Sequence, residues 1–135
     1  MRKESDFLGH TEIPADALYG IHALRAKENF HNHSAFHAEW YQAIGLTKKA
    51  CYQTYKRFKQ AAARQFNLSD FPLQWMEDSK LDALMQAATE VENGRHFKHF
   101  IVPAVQGGAG TSINMNINEI IANRALQLYG HQPGD

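Results

Sequence analysis

A glycine-rich loop runs directly into a helical pattern near the end of the sequence. Gly107, Gly108 and Gly110 fall within four positions, which frees the backbone to turn tightly and to bring its amides close to a ligand. Thr111 and Ser112 follow, where helix N-caps belong. The first amides of a helix are unbonded and lie at the positive end of its dipole, so a carboxylate or phosphate is the expected ligand.

Two common nucleotide-binding motifs do not fit this loop. A phosphate-binding loop ends in Gly-Lys-Ser/Thr, and no lysine precedes Thr111. The dinucleotide-binding fingerprint needs three glycines at its own spacing, and Ile113 stands where the third would follow Gly108 and Gly110. From the loop alone, a second interpretation stays open, in which the glycines only shape a connection.

The residues after the loop have the spacing of an amphipathic helix, predicted from about Ser112 to Tyr129. At 100° per residue its apolar side chains share one arc, namely Ile113, Ile117, Ile120, Ile121, Ala125 and Leu128. The same geometry puts Asn114 and Asn118 at the margin of the arc, and Asn116 and Asn123 away from it. Asparagine is a poor helix former, so four within ten residues indicate a polar network that fixes a neighbouring loop around a site.

Two longer helices are predicted before the loop. Ser34 is a candidate N-cap for the first, whose apolar residues recur at steps of three, four or seven: Phe36, Trp40, Ile44, Ala50, Cys51, Tyr55, Phe58 and Ala62. The second follows an apolar stripe from Leu73 to Val91 and ends at Asn93-Gly94, where glycine is a natural left-handed cap. The basic residues of the first helix are interpreted as a solvated face, with a binding face as the alternative.

The start of the chain is less regular. Gly9 and Pro14 interrupt the first twenty residues, which predicts an extended arm or a short hairpin. Residues 23–30 are too few and too charged for a strong helix and are predicted to form one irregular turn. The expected fold class is therefore all-α, mainly helical, with a short N-terminal hairpin as an option.

Composition narrows the class of protein. The chain has 135 residues, 44% of them hydrophobic, which suits one packed domain. Fourteen basic residues balance fourteen acidic ones, so we expect no nucleic-acid and no membrane partner. The single Cys51 fits a reducing compartment, and no signal peptide follows the mixed charges of Met1–Asp6. A cytoplasmic protein is expected.

Closely spaced histidines raise the question of a metal site. They are His31, His33 and His37 in one group and His96 and His99 in another. Structural zinc sites usually draw on cysteine pairs or on a complete set of three or four ligands, and neither group provides one. Surface histidines are therefore the favoured interpretation, and no metal site is predicted.

Two segments resemble the aspartase/fumarase superfamily. Residues 106–126, beginning Gln-Gly-Gly-Ala-Gly-Thr-Ser-Ile-Asn-Met-Asn, resemble its first signature region, and residues 13–30, with Ile-Pro-Ala-Asp-Ala-Leu-Tyr-Gly-Ile, Leu-Arg-Ala and Glu-Asn-Phe, resemble its N-terminal sequence. Residues 107–112 read Gly-Gly-Ala-Gly-Thr-Ser, as is typical of aspartate ammonia-lyases, where class II fumarases read Gly-Ser-Gly-Thr-Gln-Ser. The aspartase branch is favoured. The alternatives are a fumarase, a lyase for a related amino acid, or a non-catalytic helical interaction module.

The resemblance implies a reaction and an assembly. Residues 1–135 would be the N-terminal helical domain of a lyase, ending before its central helical-bundle domain. Such enzymes are homotetramers that reversibly eliminate ammonia from L-aspartate to give fumarate, without an organic cofactor. A serine on a mobile loop takes the C3 proton in this family; that base is absent here, so residues 1–135 alone are expected to be inactive. Thr111 is implied as a contact of the substrate carboxylate, with Ala109 and Gly110 shaping the same loop.

Overall fold

The computed structural model describes residues 1–106 and 109–135. An antiparallel hairpin is followed by four α-helices: β1 (Arg2–Asp6), β2 (Gly9–Ile13), α1 (Ile21–Asn29), α2 (Ala38–Gln65), α3 (Asp78–Glu92) and α4 (Thr111–Leu128). Short 3-10 turns occur at Leu68–Asp70 and Phe97–His99. The prediction of a mainly helical fold with an N-terminal hairpin is confirmed. None of the helices in the described ranges is long and apolar enough to cross a membrane.

The hairpin is held by its own turn and by α1. Asp6 pairs with Gly9, whose φ of 116° lies in the region that favours glycine. The Asp6 carboxylate accepts a hydrogen bond from the Leu8 amide at 2.9 Å. Two more come from the Arg25 guanidinium, at 2.7 and 2.9 Å. The Arg25 guanidinium hydrogen bonds lower the pKa of Asp6. The hairpin is therefore docked on α1 by a bidentate ion pair.

Helix α1 corrects the prediction of one irregular turn over residues 23–30. Its nine residues are too few for a stable isolated helix, so distant carboxylates must compensate. Glu119 on α4 accepts hydrogen bonds from the amides of three residues at the start of α1, at 2.9 to 3.2 Å. Glu4 on β1 accepts a fourth at 2.8 Å. Burial of Ala23 and Ala26 against the core completes the docking.

Helix α2 begins at Ala38, so Ser34 is not its N-cap as predicted. His37 occupies the N-cap position and makes no capping hydrogen bond with its side chain. Ser34 bonds a distant segment instead, because its hydroxyl accepts from the Val105 amide at 3.2 Å and its carbonyl accepts from the Ala104 amide at 3.2 Å. This residue ties the start of α2 to the approach to the glycine loop.

The buried face of α2 also differs from the predicted apolar stripe. Trp40 and Phe58 are 48% and 52% exposed, whereas Tyr41 and Gly45 are buried. The cause is the approach of α3: a Cβ on Gly45 would lie 2.5 Å from the backbone nitrogen of Glu92. The helices cross where α2 has no side chain, and this crossing selects the buried face.

Helix α3 begins later than predicted and ends where predicted. Leu73 and Met76 precede its first residue, Asp78, and Gly94 adopts the expected left-handed conformation with φ of 76°. Three lysines of α2 form ion pairs with acidic residues of α3: Lys49 with Glu92, Lys56 with Asp82 and Lys59 with Asp78. These lysines therefore bridge two helices rather than forming a purely solvated face.

Helix α4 lies at the centre of the core. Ile117, Ile120 and Ile121 are fully buried with Tyr41 of α2 and Val91 of α3, which confirms the predicted apolar arc. The placement of two asparagines was wrong, however. Asn116 and Asn123 are 0% and 7% exposed, although the helical geometry put them away from the buried face. The reason is that other parts of the chain cover α4 on that side as well.

Asn123 shows what these buried amides do. Its Nδ2 donates to the carbonyl oxygen of Leu18 at 2.9 Å, and its Oδ1 accepts from the Gly134 amide at 2.9 Å. A buried amide is costly unless both its donor and its acceptor are satisfied, and here both are. Asn123 therefore fixes two neighbouring segments, as predicted for the asparagines of this helix, whereas a polar network around a site stays a prediction.

Candidate substrate-binding site at the start of helix α4

The start of α4 has no capping side chain. Gly110 is its N-cap, with φ of 72° and ψ of 28°, and Gly110 has no side chain that could accept from the first amides of the helix. Thr111 and Ser112, expected at the N-cap, are instead the first two helical residues. Among the described residues, no side chain caps the amides of this turn, and the helix dipole favours negative charge there.

The predicted site residues lie around this turn. Thr111 and Ala109 are exposed and Gly110 is half-buried. Thr111 carries a hydroxyl at the first helical position, where a donor can point at a ligand bound to the helix start. Gly107 and Gly108, which were predicted to free the loop, lie outside the described residues.

A cleft of about 470 Å³ adjoins the loop. Ala109 and Gly110 line it together with Trp40 and Ile44 of α2 and Asn114 of α4. The side chain of Thr111 is not part of the lining. This volume lies within the roughly 300 to 1,000 Å³ usual for small-molecule sites. The structure therefore brings two of the predicted residues into one concave surface and leaves the third beside it.

A lysine that sequence reasoning did not assign to the site bonds to Asn114, one of the residues that line this cleft. Lys48 Nζ on α2 donates to Asn114 Oδ1 at 2.6 Å. The ammonium group therefore lies beside the first turn of α4, where its charge adds to that of the helix dipole. No local pattern could have identified it, because α2 and α4 meet only in the folded chain.

A second cleft of about 520 Å³ lies toward the other end of α4. Its walls are mainly apolar and include Met76, Leu84 and Ala125. It contains no helix start. Size does not distinguish the two clefts, but the helix start without a side-chain cap and the neighbouring ammonium make the loop cleft the better suited of the two to an anionic ligand.

The histidines do not gather around this site. His99 Nδ1 accepts from the Leu18 amide at 3.3 Å, and burial lowers the pKa of His99. His96 Nε2 lies 2.6 Å from the Glu90 carboxylate. Within residues 1–106 and 109–135, no three histidine, cysteine or acidic side chains are arranged to hold a metal ion. That the reaction needs no metal or organic cofactor stays a prediction.

The chain is thus a mainly helical domain that presents an uncapped helix start beside a cleft. The family model described as Lyase matches residues 9–134, and the chain belongs to this family.

The relatives are named for two related reactions. The chain is 41% identical to aspartate ammonia-lyase from Bacillus subtilis (strain 168) over 99% of its own length and 25% of that protein. It is 40% identical to aspartate ammonia-lyase from Escherichia coli (strain K12), covering 100% of the chain and 26% of that protein. It is 42% identical to class II fumarate hydratase from Halobacterium salinarum, covering 99% and 26%. The chain thus spans about a quarter of the length of these relatives.

Solved structures agree with this family. A fumarate lyase:delta crystallin from Brucella melitensis has a TM-score of 0.82 and 36% identity, covering 99% of this chain and 26% of that one. A class II fumarase from Schistosoma mansoni has a TM-score of 0.80 at 23% identity, and this match supports only the fold.

Proposed function

We propose that this chain is part of an aspartate ammonia-lyase, which reversibly eliminates ammonia from L-aspartate to give fumarate. The observation that carries the proposal is the uncapped start of α4, with Gly110 at the N-cap and the exposed Thr111 hydroxyl directly after it. Membership of the lyase family and the Gly-Gly-Ala-Gly-Thr-Ser sequence of residues 107–112 support it.

In this proposal the described residues bind a substrate carboxylate. The Thr111 hydroxyl donates to the carboxylate, the first amides of α4 receive its negative charge, and Ala109 and Gly110 shape the loop around it. Removal of the C3 proton creates a doubly charged intermediate. The electron pair left by the C3 proton then forms the C2–C3 double bond, as the bond between C2 and nitrogen breaks and ammonia leaves. Donors aimed at this growing charge accelerate the reaction because they bind the transition state more strongly than the substrate.

Substitution of Thr111 in the full-length protein tests the proposal directly. Thr111→Ala should lower kcat/KM for aspartate by about ten- to two-hundredfold, which corresponds to roughly 1.5 to 3 kcal/mol for a hydrogen bond to a charged group. Thr111→Ser keeps the hydroxyl and should recover much of the loss. The assay follows fumarate absorbance, with melting temperature measured in parallel. A normal kcat/KM in Thr111→Ala would remove Thr111 from the site.

The second candidate is a class II fumarase, favoured by the 42% identity to the Halobacterium salinarum enzyme. Both reactions form fumarate and require the same stabilisation of a carboxylate dianion. They differ in the leaving group, which is ammonia in one case and water in the other. Parallel assays of the full-length protein with aspartate and with malate separate them, and we expect fumarate from aspartate.

We further propose that residues 1–135 are the N-terminal helical domain of a cytoplasmic homotetramer, followed by a central helical-bundle domain. The match to the relatives covers about a quarter of their length, which supports a longer protein. The exposed free thiol of Cys51 is compatible with a reducing compartment. We place the proton-abstracting serine outside residues 1–135. This piece alone should therefore produce no fumarate above background, and light scattering should give the full-length protein the mass of four chains.

A further inference from the structure

One buried amide connects α4 to the segment that leads into the glycine loop. The Oδ1 atom of Asn116 accepts hydrogen bonds from the backbone amides of Ile101 at 2.8 Å and Val102 at 3.4 Å. Its Nδ2 atom donates to the carbonyl oxygen of His99 at 3.2 Å. Asn116 is fully buried, so water cannot replace these bonds without moving the segment. One side chain therefore satisfies three backbone groups of residues 99–102.

These bonds bring the two ends of the loop onto the same helix. Asn116 follows Thr111 by five residues, which is about 7.5 Å along the axis of α4. The chain that Asn116 holds at Val102 reaches the helix again at Gly110. The segment that leads into the loop is thus held to α4 by bonds from the helix itself.

Ser34 adds a second attachment on the same path. Its hydroxyl and carbonyl accept from the amides of Val105 and Ala104, directly after the segment held by Asn116. The approach to the loop is consequently attached at consecutive points, first to α4 and then to the residues before α2. Of these, only Asn116 belongs to the helix whose start forms the proposed site.

We propose that Asn116 is a positioning residue for the proposed deamination. By holding residues 99–102 against α4, its side chain fixes the approach to the loop relative to the helix start, and so where Thr111 and the first amides receive the substrate carboxylate. Asn116 does not touch the substrate, and its effect passes through the backbone. This inference rests on the proposed function.

The experiment compares Asn116→Ala with a control in the full-length protein. Ile120→Ala is the matched variant, because Ile120 is equally buried on the same helix but has no polar atom that could bond the segment. A misplacement of about 1 Å in a site can cost about a hundredfold in rate. We expect Asn116→Ala to lose roughly ten- to a hundredfold in kcat/KM for aspartate, mainly through a higher KM. Ile120→Ala should lower the melting temperature and leave the kcat/KM of the folded enzyme nearly unchanged.

A milder variant keeps the test decisive if Asn116→Ala does not fold. Asn116→Leu is close in size and leaves no cavity, but it can neither accept from Ile101 and Val102 nor donate to His99. It should show a smaller rise in KM than Asn116→Ala, still larger than that of Ile120→Ala. If the asparagine variants and Ile120→Ala have equal KM and kcat/KM values for aspartate, the role of Asn116 is overturned, whereas the proposed function still stands.

A double variant tests whether Asn116 acts through Thr111. In a Thr111→Ala background one of the contacts that Asn116 positions is already absent, so adding Asn116→Leu should cost less than it does in the unsubstituted full-length protein. Fully additive losses would overturn the inference. A parent protein that converts no aspartate at all would overturn the proposed function, and this inference with it.

Discussion

Gly110 is the residue on which the geometry of the proposed site most depends. Its φ of 72° is left-handed, which costs a residue with a Cβ about 1 to 2 kcal/mol. Among the residues that the structure describes, a Cβ there would meet only Ile113 Cδ1, at an ordinary 3.7 Å. The conformation, rather than space, therefore requires glycine at this position.

Two substitutions at Gly110 test whether its left-handed conformation requires glycine. Gly110→Ala should lower the free energy of unfolding by about 1 to 2 kcal/mol, and Gly110→Asn should lose less, because asparagine enters the left-handed region more readily. Urea denaturation of both variants measures the difference. Equal stability of Gly110→Ala and the parent protein would mean that the helix start does not need this conformation.

At the scale of elements, α2 and α3 pack through Gly45. A Cβ on Gly45 would lie 2.5 Å from the Glu92 backbone nitrogen and 2.8 Å from Val91 Cγ1. Backbone cannot rotate away as a flexible side chain can, so the two helices would have to separate. Ion pairs from Lys49, Lys56 and Lys59 cross the same interface.

Gly45→Ala should therefore destabilise the protein by about 1 to 3 kcal/mol, as overpacked cores usually do. Alanine is the better helix former by about 1 kcal/mol, so propensity alone predicts the opposite sign. Ala50→Gly on the exposed side of α2 is the control and should show that propensity loss without any packing change. A gain in stability in Gly45→Ala, measured by denaturation, would exclude the close helix crossing.

The docking of α1 depends on one carboxylate of α4. Glu119 accepts from the amides of Gly20, His22 and Ala23 through its two oxygens. Glu119→Gln keeps the size but replaces one oxygen with a donor that faces a backbone amide. Hydrogen exchange at Ala23 and Leu24 should therefore accelerate by at least about tenfold, since losing a bond to a charged group costs roughly 1.5 to 3 kcal/mol. Unchanged exchange in α1 would show that its apolar contacts suffice.

At the scale of the whole molecule, an ion pair between α3 and α4 makes stability depend on pH. Glu90 is 8% exposed and accepts from the Arg124 guanidinium at 2.7 and 3.1 Å. The Arg124 hydrogen bond, aided by His96, lowers the pKa of Glu90 from 4.5 to about 2. The charged carboxylate is therefore more stable in the folded chain than in the unfolded one.

The sign of the pH effect follows from this lowered pKa. The contribution of Glu90 is complete above about pH 4.5 and is lost as the pH falls from 4.5 toward 2. The shift corresponds to about 3 kcal/mol. Urea denaturation at a series of pH values should show this fall in the parent protein and a flatter curve in Glu90→Gln. The control Glu12→Gln retains Glu90, so its stability should fall at acid pH as in the unsubstituted protein. If Glu90→Gln shows the same fall, the acid dependence does not come from Glu90.

Local patterns were sufficient to predict much of this fold. Gly9 and Pro14 break the first segment into a hairpin, Gly94 ends α3, and the apolar arc of α4 places its isoleucines in the core. These are properties of neighbouring residues, because breakers and helical spacing act within a few positions of the chain. The glycine loop and a helix start at about Ser112, one residue after the observed start, were also predictable from neighbouring residues, and with them the candidate anion site.

Contacts between distant residues decided the rest. Helix α1 forms because Glu119 satisfies its amides from 99 residues away, and Lys48 reaches Asn114 of α4 only in the folded chain. The buried faces of Asn116 and Asn123 likewise depend on which segments cover α4. The free energy of a buried polar group depends on the partner that folding brings to it, and helical spacing carries no information about that partner.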